Sequence, residues 1–276
     1  MRAGKAAQAS KSKNNMNYKF CAKTDTGRTR DNNEDSVAYD ESTRLAVLAD
    51  GMGGYNAGEV ASGMATAFIK SELSRWLSEA GESAKVREVR RALEICVDNA
   101  NLSIYNAANS NSHYSGMGTT LVVGVFRDDK LLVGHIGDSR CYRLRGGTFE
   151  QITKDHSLLQ EQIDAGLVTP EQAANSSIRN LVTRALGVEE ITLLEVNEYT
   201  VELGDIYLMC SDGLSDMVDD ASIARIALEP VDLGDKAGLL IEAANERGGR
   251  DNISVILVEV TDAAEKKGLF ARLLGK

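Results

Sequence analysis

Carboxylates recur beside glycine where apolar segments of the chain end. Four aspartates follow this pattern: Asp50 before Gly51, Asp138 after Gly137, Asp212 before Gly213 and Asp251 shortly after Gly249. An aspartate next to glycine is commonly a turn residue, so each of them alone indicates little. If the segments are strands that end at one sheet edge, the carboxylates converge, and clustered carboxylates do not all ionise readily without a cation. Because oxygen ligands suit Mg²⁺ or Mn²⁺, the pattern predicts a site for two or more hard divalent ions.

An acidic pair and an arginine precede these aspartates in the chain. Glu34 and Asp35 stand before the β-rich stretch 36–39, and Arg30 comes shortly before Glu34. A guanidinium beside a carboxylate–metal cluster suggests that the cluster binds an anion, most simply a phosphate held by two hydrogen bonds. The alternative for Arg30 is a surface ion pair with Glu34, which would contribute little.

The composition argues against several other classes of protein and of metal site. The chain has 276 residues and a net charge of −10, and an acidic surface disfavours a general nucleic-acid binder. Its 3 histidines and 4 cysteines are scattered without a CxxC pair, which argues against a zinc site of thiolates and imidazoles. No apolar run approaches the about 20 residues of a membrane-spanning helix, and no secretory signal is visible. We therefore expect a cytoplasmic protein without a transmembrane segment.

The elements that must position these side chains are long helices and short apolar strands. Helical spacing covers 57–79 and about 84–109, and shorter helices are indicated at 221–228 and 236–247. Strands are indicated at 44–49, 119–126, 130–136, 141–144, 205–210 and 253–260. The pair 119–126 and 130–136 reads as a hairpin, and 141–144 is expected to continue its sheet. The helices and strands do not alternate along the chain as the βαβ units of a parallel sheet do. This order favours helices layered on antiparallel sheets.

One integrated domain is expected between two tails. Residues 1–16 carry four basic residues and no acid, which predicts a disordered basic tail. The domain covers 17–261, with a polar, partly helical flap at about 157–182 that includes a short helix at 170–174. Residues 262–276 form a C-terminal tail, which we read as frayed; the alternative is a short amphipathic docking helix.

Eight short motifs stand in a fixed order along the domain. They are Arg30-Asp31-Asn32-Asn33-Glu34-Asp35, Asp50-Gly51-Met52-Gly53-Gly54, Gly58-Glu59-Val60-Ala61-Ser62, Gly118-Thr119-Thr120, Gly137-Asp138-Ser139-Arg140, Asp155-His156-Ser157, Ser211-Asp212-Gly213 and Gly249-Arg250-Asp251-Asn252-Ile253. Together they resemble the type 2C family of metal-dependent protein serine/threonine phosphatases, whose elements include RxxNED and DGxGG. Any one motif is weak, but eight in family order are specific. In having methionine within DGMGG, the sequence resembles bacterial members of this family.

The resemblance implies a fold and a set of metal ligands. The fold would be a four-layer α-β-β-α sandwich of the α+β class, with two central antiparallel sheets and a small flap insertion. Asp50 would bridge two Mn²⁺ or Mg²⁺ ions. The other implied ligands are Asp212 and Asp251 on the first ion, Glu34 and the Gly51 carbonyl on the second, and Asp138 with Asp212 on a third, weaker ion. Asp35 would be a ligand or would support the ligands.

The resemblance also implies the reaction and its partners. Arg30 would bind the substrate phosphate, and a hydroxide that bridges the metals would attack phosphorus directly, without a phosphoenzyme intermediate. The substrates would be phosphoserine and phosphothreonine proteins in signalling, opposed by a eukaryotic-type serine/threonine kinase. We expect a monomer that binds no nucleic acid.

Some questions stay open at the level of the sequence. Met52 stands where eukaryotic members often carry a histidine proposed as general acid, so the proton donor is either a metal-bound water or His156. We favour a structural role for His156, a satisfied core position for His135 and solvent exposure for His113. Alternative functions are a catalytically inactive binding module, a phosphatase of a partner-switching pathway and a hard-metal binding protein without catalysis. The presence of the six acids of the motifs argues against the inactive module, and the RxxNED element argues against the partner-switching phosphatase. Arg30 and the absence of helix–loop–helix calcium loops from the sequence argue against a metal binder without catalysis.

Overall fold

The computed structural model describes residues 16–54, 57–169, 172 and 181–262. Two antiparallel sheets lie face to face at its centre, and helices cover their outer faces. This is the α+β arrangement of four layers that the resemblance implies. Within the part of the chain that the structure describes, no helix is long and apolar enough to cross a membrane.

The two sheets contain strands from distant parts of the chain. The first sheet consists, in spatial order, of β1 (Met16–Asp25), β11 (Ile253–Asp262), β10 (Ile206–Cys210), β7 (Arg140–Arg145) and β8 (Thr148–Gln151). The second consists of β2 (Asp35–Asp40), β3 (Leu45–Met52), β5 (Leu121–Arg127), β6 (Lys130–Ile136) and β9 (Glu195–Thr200), with β4 (Gly118–Thr119) paired to the end of β3. Every neighbouring pair is antiparallel.

The helices pack against the sheets through apolar stripes. The second sheet carries α1 (Ala57–Ala80) and α2 (Val86–Ser110). The first carries α4 (Asp212–Ser215), α5 (Asp220–Leu228) and α6 (Leu233–Glu246), while α3 (Leu158–Asp164) belongs to the flap. On α1 the buried residues Ala61, Ala65, Ile69 and Leu73 recur every fourth position, so they form the stripe that meets β3.

The chain changes sheets at Gly137. The expectation that 141–144 continues the sheet of the hairpin is wrong, because β7 pairs with β10 of the first sheet. Gly137 has a φ of +99°, and a Cβ there would lie 2.7 Å from Cγ2 of Thr120. Only glycine tolerates both conditions, so the turn after β6 is sharp enough to send the chain across to the first sheet with Asp138 at the crossing point.

The structure adds strands that the sequence pattern did not indicate. β1, β8 and β9 were not predicted, although Met16, Tyr18 and Phe20 alternate into the space between the sheets. The pairing of Met16 with Asp262 carries the sheet one residue beyond each predicted domain boundary. The remainder of both tails and nearly all of the helix predicted at 170–174 lie outside the described residues.

Candidate metal centre

A cavity of about 280 Å³ opens at the ends of the two sheets. Seven of the residues singled out from the sequence line it: Arg30, Glu34, Asp50, Gly51, Asp138, Asp212 and Asp251. They come from the end of β3, the turn after β6, the start of α4 and the loops before β2 and β11. The convergence that the sequence argument had to assume is therefore observed, whereas the roles of the side chains stay predictions.

Glycine at position 51 allows the backbone of β3 to approach α1 closely. A Cβ on Gly51 would lie 2.1 Å from the carbonyl oxygen of Gly58 and 2.6 Å from that of Glu34. The Gly51 amide donates to the Glu34 carbonyl at 3.1 Å, and the Ser62 hydroxyl donates to the same oxygen at 2.6 Å. The Glu34 amide in turn donates to Oδ1 of Asn252 at 2.8 Å. These contacts fix the segment that presents Glu34 to the cavity.

Thr120 connects two of the acidic turns. Its hydroxyl accepts a hydrogen bond from the Asp50 amide at 3.0 Å and shares another with the Ser139 hydroxyl at 2.8 Å. The turn that carries Asp50 is thereby held against the turn that carries Asp138. Thr120 and Asn252 were parts of the quoted motifs, but no role was predicted for them; their place inside those motifs was the available signal.

Asp35 lies behind the cavity, opposite Asp50 in the register of β2 and β3. The Ser211 hydroxyl donates to Oδ2 of Asp35 at 2.8 Å. Oδ1 of Asp35 is buried and has no hydrogen-bond partner among the residues described. Burial raises the pKa of Asp35 to about 7. Asp35 is thus beside Asp50 but is not among the residues that line the cavity.

The carboxylates in the cavity repel one another. Burial raises the pKa of Asp50 and Asp212 well above the usual range, and the neighbouring carboxylates raise both further. Burial and the charge of Asp155 raise the pKa of Asp138 to about 6. Positive charge in the cavity would stabilise these carboxylates in their ionised form.

The donor set matches a hard divalent cation. All candidate ligands offer carboxylate or carbonyl oxygen, which Mg²⁺ and Mn²⁺ prefer over nitrogen and sulfur. Burial and the neighbouring carboxylates raise the pKa of Asp50 and Asp212, and a divalent cation bound among them would favour their ionised forms.

Arg30 reaches the cavity and pairs with Asp251. Its Nη2 lies 2.6 Å from Oδ2 of Asp251, and both side chains are partly exposed. The ion pair that the structure gives Arg30 is therefore with a candidate metal ligand and not with Glu34, the partner in the alternative interpretation. Since Arg30 lines the cavity beside the carboxylates, its remaining donors are available to an oxyanion there.

No histidine lines the cavity within the described residues, whereas Met52 does. His156 accepts a hydrogen bond from the Gly137 amide at Nδ1 (3.2 Å), and its carbonyl accepts one from the Thr183 amide (2.8 Å). These bonds hold the turn before Asp138 and the returning end of the flap. The structure therefore favours the structural role for His156 over the alternative of a proton donor.

His156 also belongs to a cluster with His135 and Glu195 whose ligand atoms lie within 4.8 Å of one another. Because the Gly137 amide donates to Nδ1, the proton of neutral His156 is on Nε2, which faces Glu195 at 3.3 Å. A metal on Nε2 would require a proton on Nδ1, against that amide. The cluster is therefore a hydrogen-bonded stack and not a metal site. Only one of the two ring nitrogens of His135 has a hydrogen-bond partner among the described residues. Nε2 bonds to the Lys154 carbonyl, whereas Nδ1 is buried without a partner there.

The chain matches the family model described as protein phosphatase 2C over residues 26–237. It is 37% identical over 242 residues to the serine/threonine phosphatase stp of Listeria innocua, covering 86% of this chain and 94% of that protein. It is 40% identical over 245 residues to the serine/threonine protein phosphatase PstP of Mycobacterium tuberculosis, covering 88% of this chain and 45% of that protein.

Solved structures agree with these sequence matches. The crystal structure of the Mycobacterium tuberculosis serine/threonine phosphatase PstP/Ppp superposes with a TM-score of 0.81 at 38% identity, covering 88% of this chain and 99% of that one. The catalytic domain of PstP in complex with two manganese ions gives a TM-score of 0.78 at 38% identity, covering 90% of this chain and 100% of that one. The chain therefore belongs to the protein phosphatase 2C family and is a metal-dependent serine/threonine protein phosphatase.

Proposed function

We propose that Asp50 bridges two Mn²⁺ or Mg²⁺ ions in the cavity at the ends of the sheets. Asp212 and Asp251 hold the first ion, and Glu34 with the Gly51 carbonyl holds the second. The observation that carries this assignment is the convergence of these residues on one cavity of about 280 Å³. Burial and repulsion among the carboxylates support it, because together they raise the pKa of Asp50 and Asp212, and bound cations would favour the ionised forms.

Asp138 supplies a weaker third position together with Asp212. Asp138 lines the cavity and is fixed at the sheet crossing by the Thr120–Ser139 hydroxyl pair. Asp35 is not a ligand in this proposal. It lies opposite Asp50 in the register of β2 and β3, and its carboxylate accepts a hydrogen bond from the Ser211 hydroxyl.

When bound, the ions activate a water molecule as the nucleophile and offset the negative charge of the transferring phosphoryl group. Arg30 binds the substrate phosphate with guanidinium donors and so orients it over the carboxylates. The cavity lining contains no serine, cysteine or histidine within the described chain. We therefore propose direct hydrolysis of the phosphate monoester without a phosphoenzyme intermediate.

The substrates we propose are proteins that carry phosphoserine or phosphothreonine, as the names of the relatives indicate. A eukaryotic-type serine/threonine kinase would supply them, so that the pair forms a reversible signalling step. The four free cysteines support a reducing, cytoplasmic location.

Hydrolysis of a phosphothreonine peptide tests the proposal directly. We expect phosphate release in Mn²⁺, loss of activity in excess EDTA and recovery when Mn²⁺ is added in excess. A folded protein that releases no phosphate at any Mn²⁺ or Mg²⁺ concentration would contradict the proposal and favour a binding module.

A further inference from the structure

Two arginines stand beside the metal centre without lining its cavity. Arg28 comes two residues before Arg30, and Arg250 comes directly before Asp251. Both are exposed, and neither makes an ion pair or a side-chain hydrogen bond with a residue that the structure describes. Their guanidinium donors are therefore available to a group that comes from outside the chain.

The two loops that carry these arginines are fixed against each other. The Arg28 amide donates to the Gly249 carbonyl at 2.7 Å, and a Cβ on Gly27 would lie 2.8 Å from the same carbonyl oxygen. Because Gly27 also has a φ of +82°, only glycine permits this approach. The side-chain amide of Asn252 adds a hydrogen bond to the Thr26 carbonyl at 3.0 Å. The positions of the arginines relative to the cavity are thus set by the fold.

The alkyl stems of both arginines lie against the same glycine turn. Cγ of Arg28 lies 2.9 Å from the position of a Cβ on Gly249. Cγ of Arg250 lies 3.8 Å from the position of a Cβ on Gly248. Arg30, which lines the cavity, belongs to the same pair of loops. Arg28, Arg30 and Arg250 therefore lie along one side of the cavity mouth and form an arginine rim, in a chain whose net charge is −10.

Asp25 interacts with Arg28 without pairing with it. The hydrogen bond from Asn245 and, after it, the charge of Arg28 lower the pKa of Asp25. The hydrogen bonds that Oδ1 of Asp25 accepts come from the Gly27 amide at 2.9 Å and from the Asn245 side chain at 3.0 Å. Asp25 therefore does not occupy the donors of the Arg28 guanidinium.

We propose that Arg28 and Arg250 bind an anionic side chain of the substrate close in sequence to the phosphorylated residue. That side chain is an acidic residue or a second phosphorylated residue, since carboxylate and phosphate both accept paired hydrogen bonds from guanidinium. The inference rests on the proposed function, because the phosphoryl group must lie at the metal centre for its neighbour to reach the arginine rim. It adds a substrate class: phosphoproteins with an anionic group at one fixed position beside the phosphorylated residue.

Steady-state kinetics with a set of phosphothreonine peptides tests the inference. Alanine, glutamate, lysine or a non-hydrolysable phosphonate analogue of phosphoserine is placed in turn at each of the three positions on either side of phosphothreonine, and kcat/KM is measured in Mn²⁺. At one position we expect glutamate to exceed alanine by about threefold and the phosphonate to exceed alanine by about tenfold, with lysine below alanine. The exposed acids Asp31 and Glu246, which flank the two loops in the chain, limit the preference to this order.

The preference should shrink as the salt concentration rises, because the rim is exposed. A preference for the phosphonate without one for glutamate would support the inference and identify a second phosphate as the ligand. A preference for both would extend the ligand to acidic residues.

Variants locate the preference at the arginine rim. Arg28→Gln and Arg250→Gln remove the charge but keep the atoms up to Cγ, which lie against the glycine turn. The measured quantity is the ratio of kcat/KM between anionic and alanine peptides, so that changes in overall turnover cancel, and each substitution should bring it towards one. Arg87→Gln is the matched control, because Arg87 is exposed on α2, which covers the second sheet, and its loss changes the net charge equally.

The outcomes separate the inference from the function on which it rests. Equal kcat/KM for alanine, glutamate and phosphonate peptides at every position would overturn the inference. An anion preference that survives in the protein with both Arg28→Gln and Arg250→Gln, or that falls as much in Arg87→Gln, would also overturn it. Failure to hydrolyse any of the peptides would instead contradict the proposed function.

Discussion

Asp50 shows at a single residue why the centre needs cations. Its carboxylate is surrounded by those of Asp35, Asp138, Asp212 and Asp251, and each of them raises its pKa. Its backbone amide is tied to Thr120, so the side chain cannot withdraw from the cluster without disturbing β3 and β5. A cation that several of these carboxylates share would offset this repulsion.

Replacing Asp50 by asparagine should abolish turnover. Asparagine keeps the shape but loses the charge, and removal of one ligand from a preorganised site lowers activity on the order of 10²-fold or more. The measurement is kcat/KM for a phosphothreonine peptide in Mn²⁺, with the Mn²⁺-induced rise in melting temperature as a second readout. Asp98→Asn, on the exposed face of α2, is the control. Near-normal turnover in Asp50→Asn would refute the ligand assignment.

Arg30→Ala should raise KM more than it lowers kcat for small phosphate esters. Arg30 is partly exposed and its ion pair with Asp251 is at the surface, so its loss should change stability by less than about 1 kcal/mol. The effect on KM arises because the guanidinium binds the phosphate in the ground state as well as in the transition state. Initial rates with p-nitrophenyl phosphate measure both constants, with exposed Arg91→Ala as control. A KM equal to that of the wild type would exclude the role of phosphate ligand.

At the scale of elements, close packing of β3 on α1 depends on Gly51. Replacing it by alanine should separate the two elements, since the added Cβ would lie 2.1 Å from the Gly58 carbonyl oxygen. We expect a loss of about 2 kcal/mol or more, or a melting temperature lower by about 5 °C, together with a large loss of activity.

Gly54→Ala is the matched control for that substitution, because no atom of the described residues, apart from the adjoining ones in the chain, lies within 4 Å of a Cβ at Gly54. Thermal unfolding followed by circular dichroism compares the two variants. If both melt at the temperature of the wild type, close approach at Gly51 is not what holds β3 against α1.

The helices and strands differ in how well the sequence predicts them. The two long helices, the hairpin and the strands before and after the acidic turns could be predicted, since their apolar spacing is strong. β9 could not, because no residue of this edge strand is fully buried and its sequence Glu195–Thr200 is mostly polar. The transfer of β7 to the other sheet was also unpredictable, since the positive φ of Gly137 that directs it is a property of the folded turn. The site carboxylates were found because motifs mark them, whereas the supporting bonds of Ser211 and Thr120 exist only between distant segments.

At the scale of the whole molecule, the centre lies where both sheets end, so its charge acts on the stability of the complete sandwich. The pKa of Asp35 is about 7 and that of Asp138 about 6 in the folded protein, against about 4 for an unfolded aspartate. The folded state therefore binds protons that the unfolded state releases. Their contribution to stability is present in full below about pH 4 and is lost as the pH rises through 6 and 7.

His156 changes the dependence of stability on pH in the direction opposite to that of the two aspartates. Burial lowers its pKa, so its contribution is lost as the pH falls below the range of an unfolded histidine. A pH profile of the wild type alone would mix the two effects. The difference between the wild type and Asp50→Asn isolates the acidic cluster, because both proteins keep His156 while the variant lacks one of the carboxylates of the cluster.

We therefore expect the metal-free wild type in EDTA to lose stability between pH 5 and pH 8 relative to Asp50→Asn. Mn²⁺ binds the ionised carboxylates, so it should raise the melting temperature of the wild type more at pH 8 than at pH 5, and that of Asp50→Asn much less at either pH. Differential scanning calorimetry at both pH values, with EDTA or with Mn²⁺, measures the melting temperature of each protein under these four conditions. A Mn²⁺ effect of equal size at pH 5 and pH 8 would mean that the carboxylates are already ionised at pH 5, and repulsion within the cluster would then not be the property that makes this sandwich depend on its metal ions.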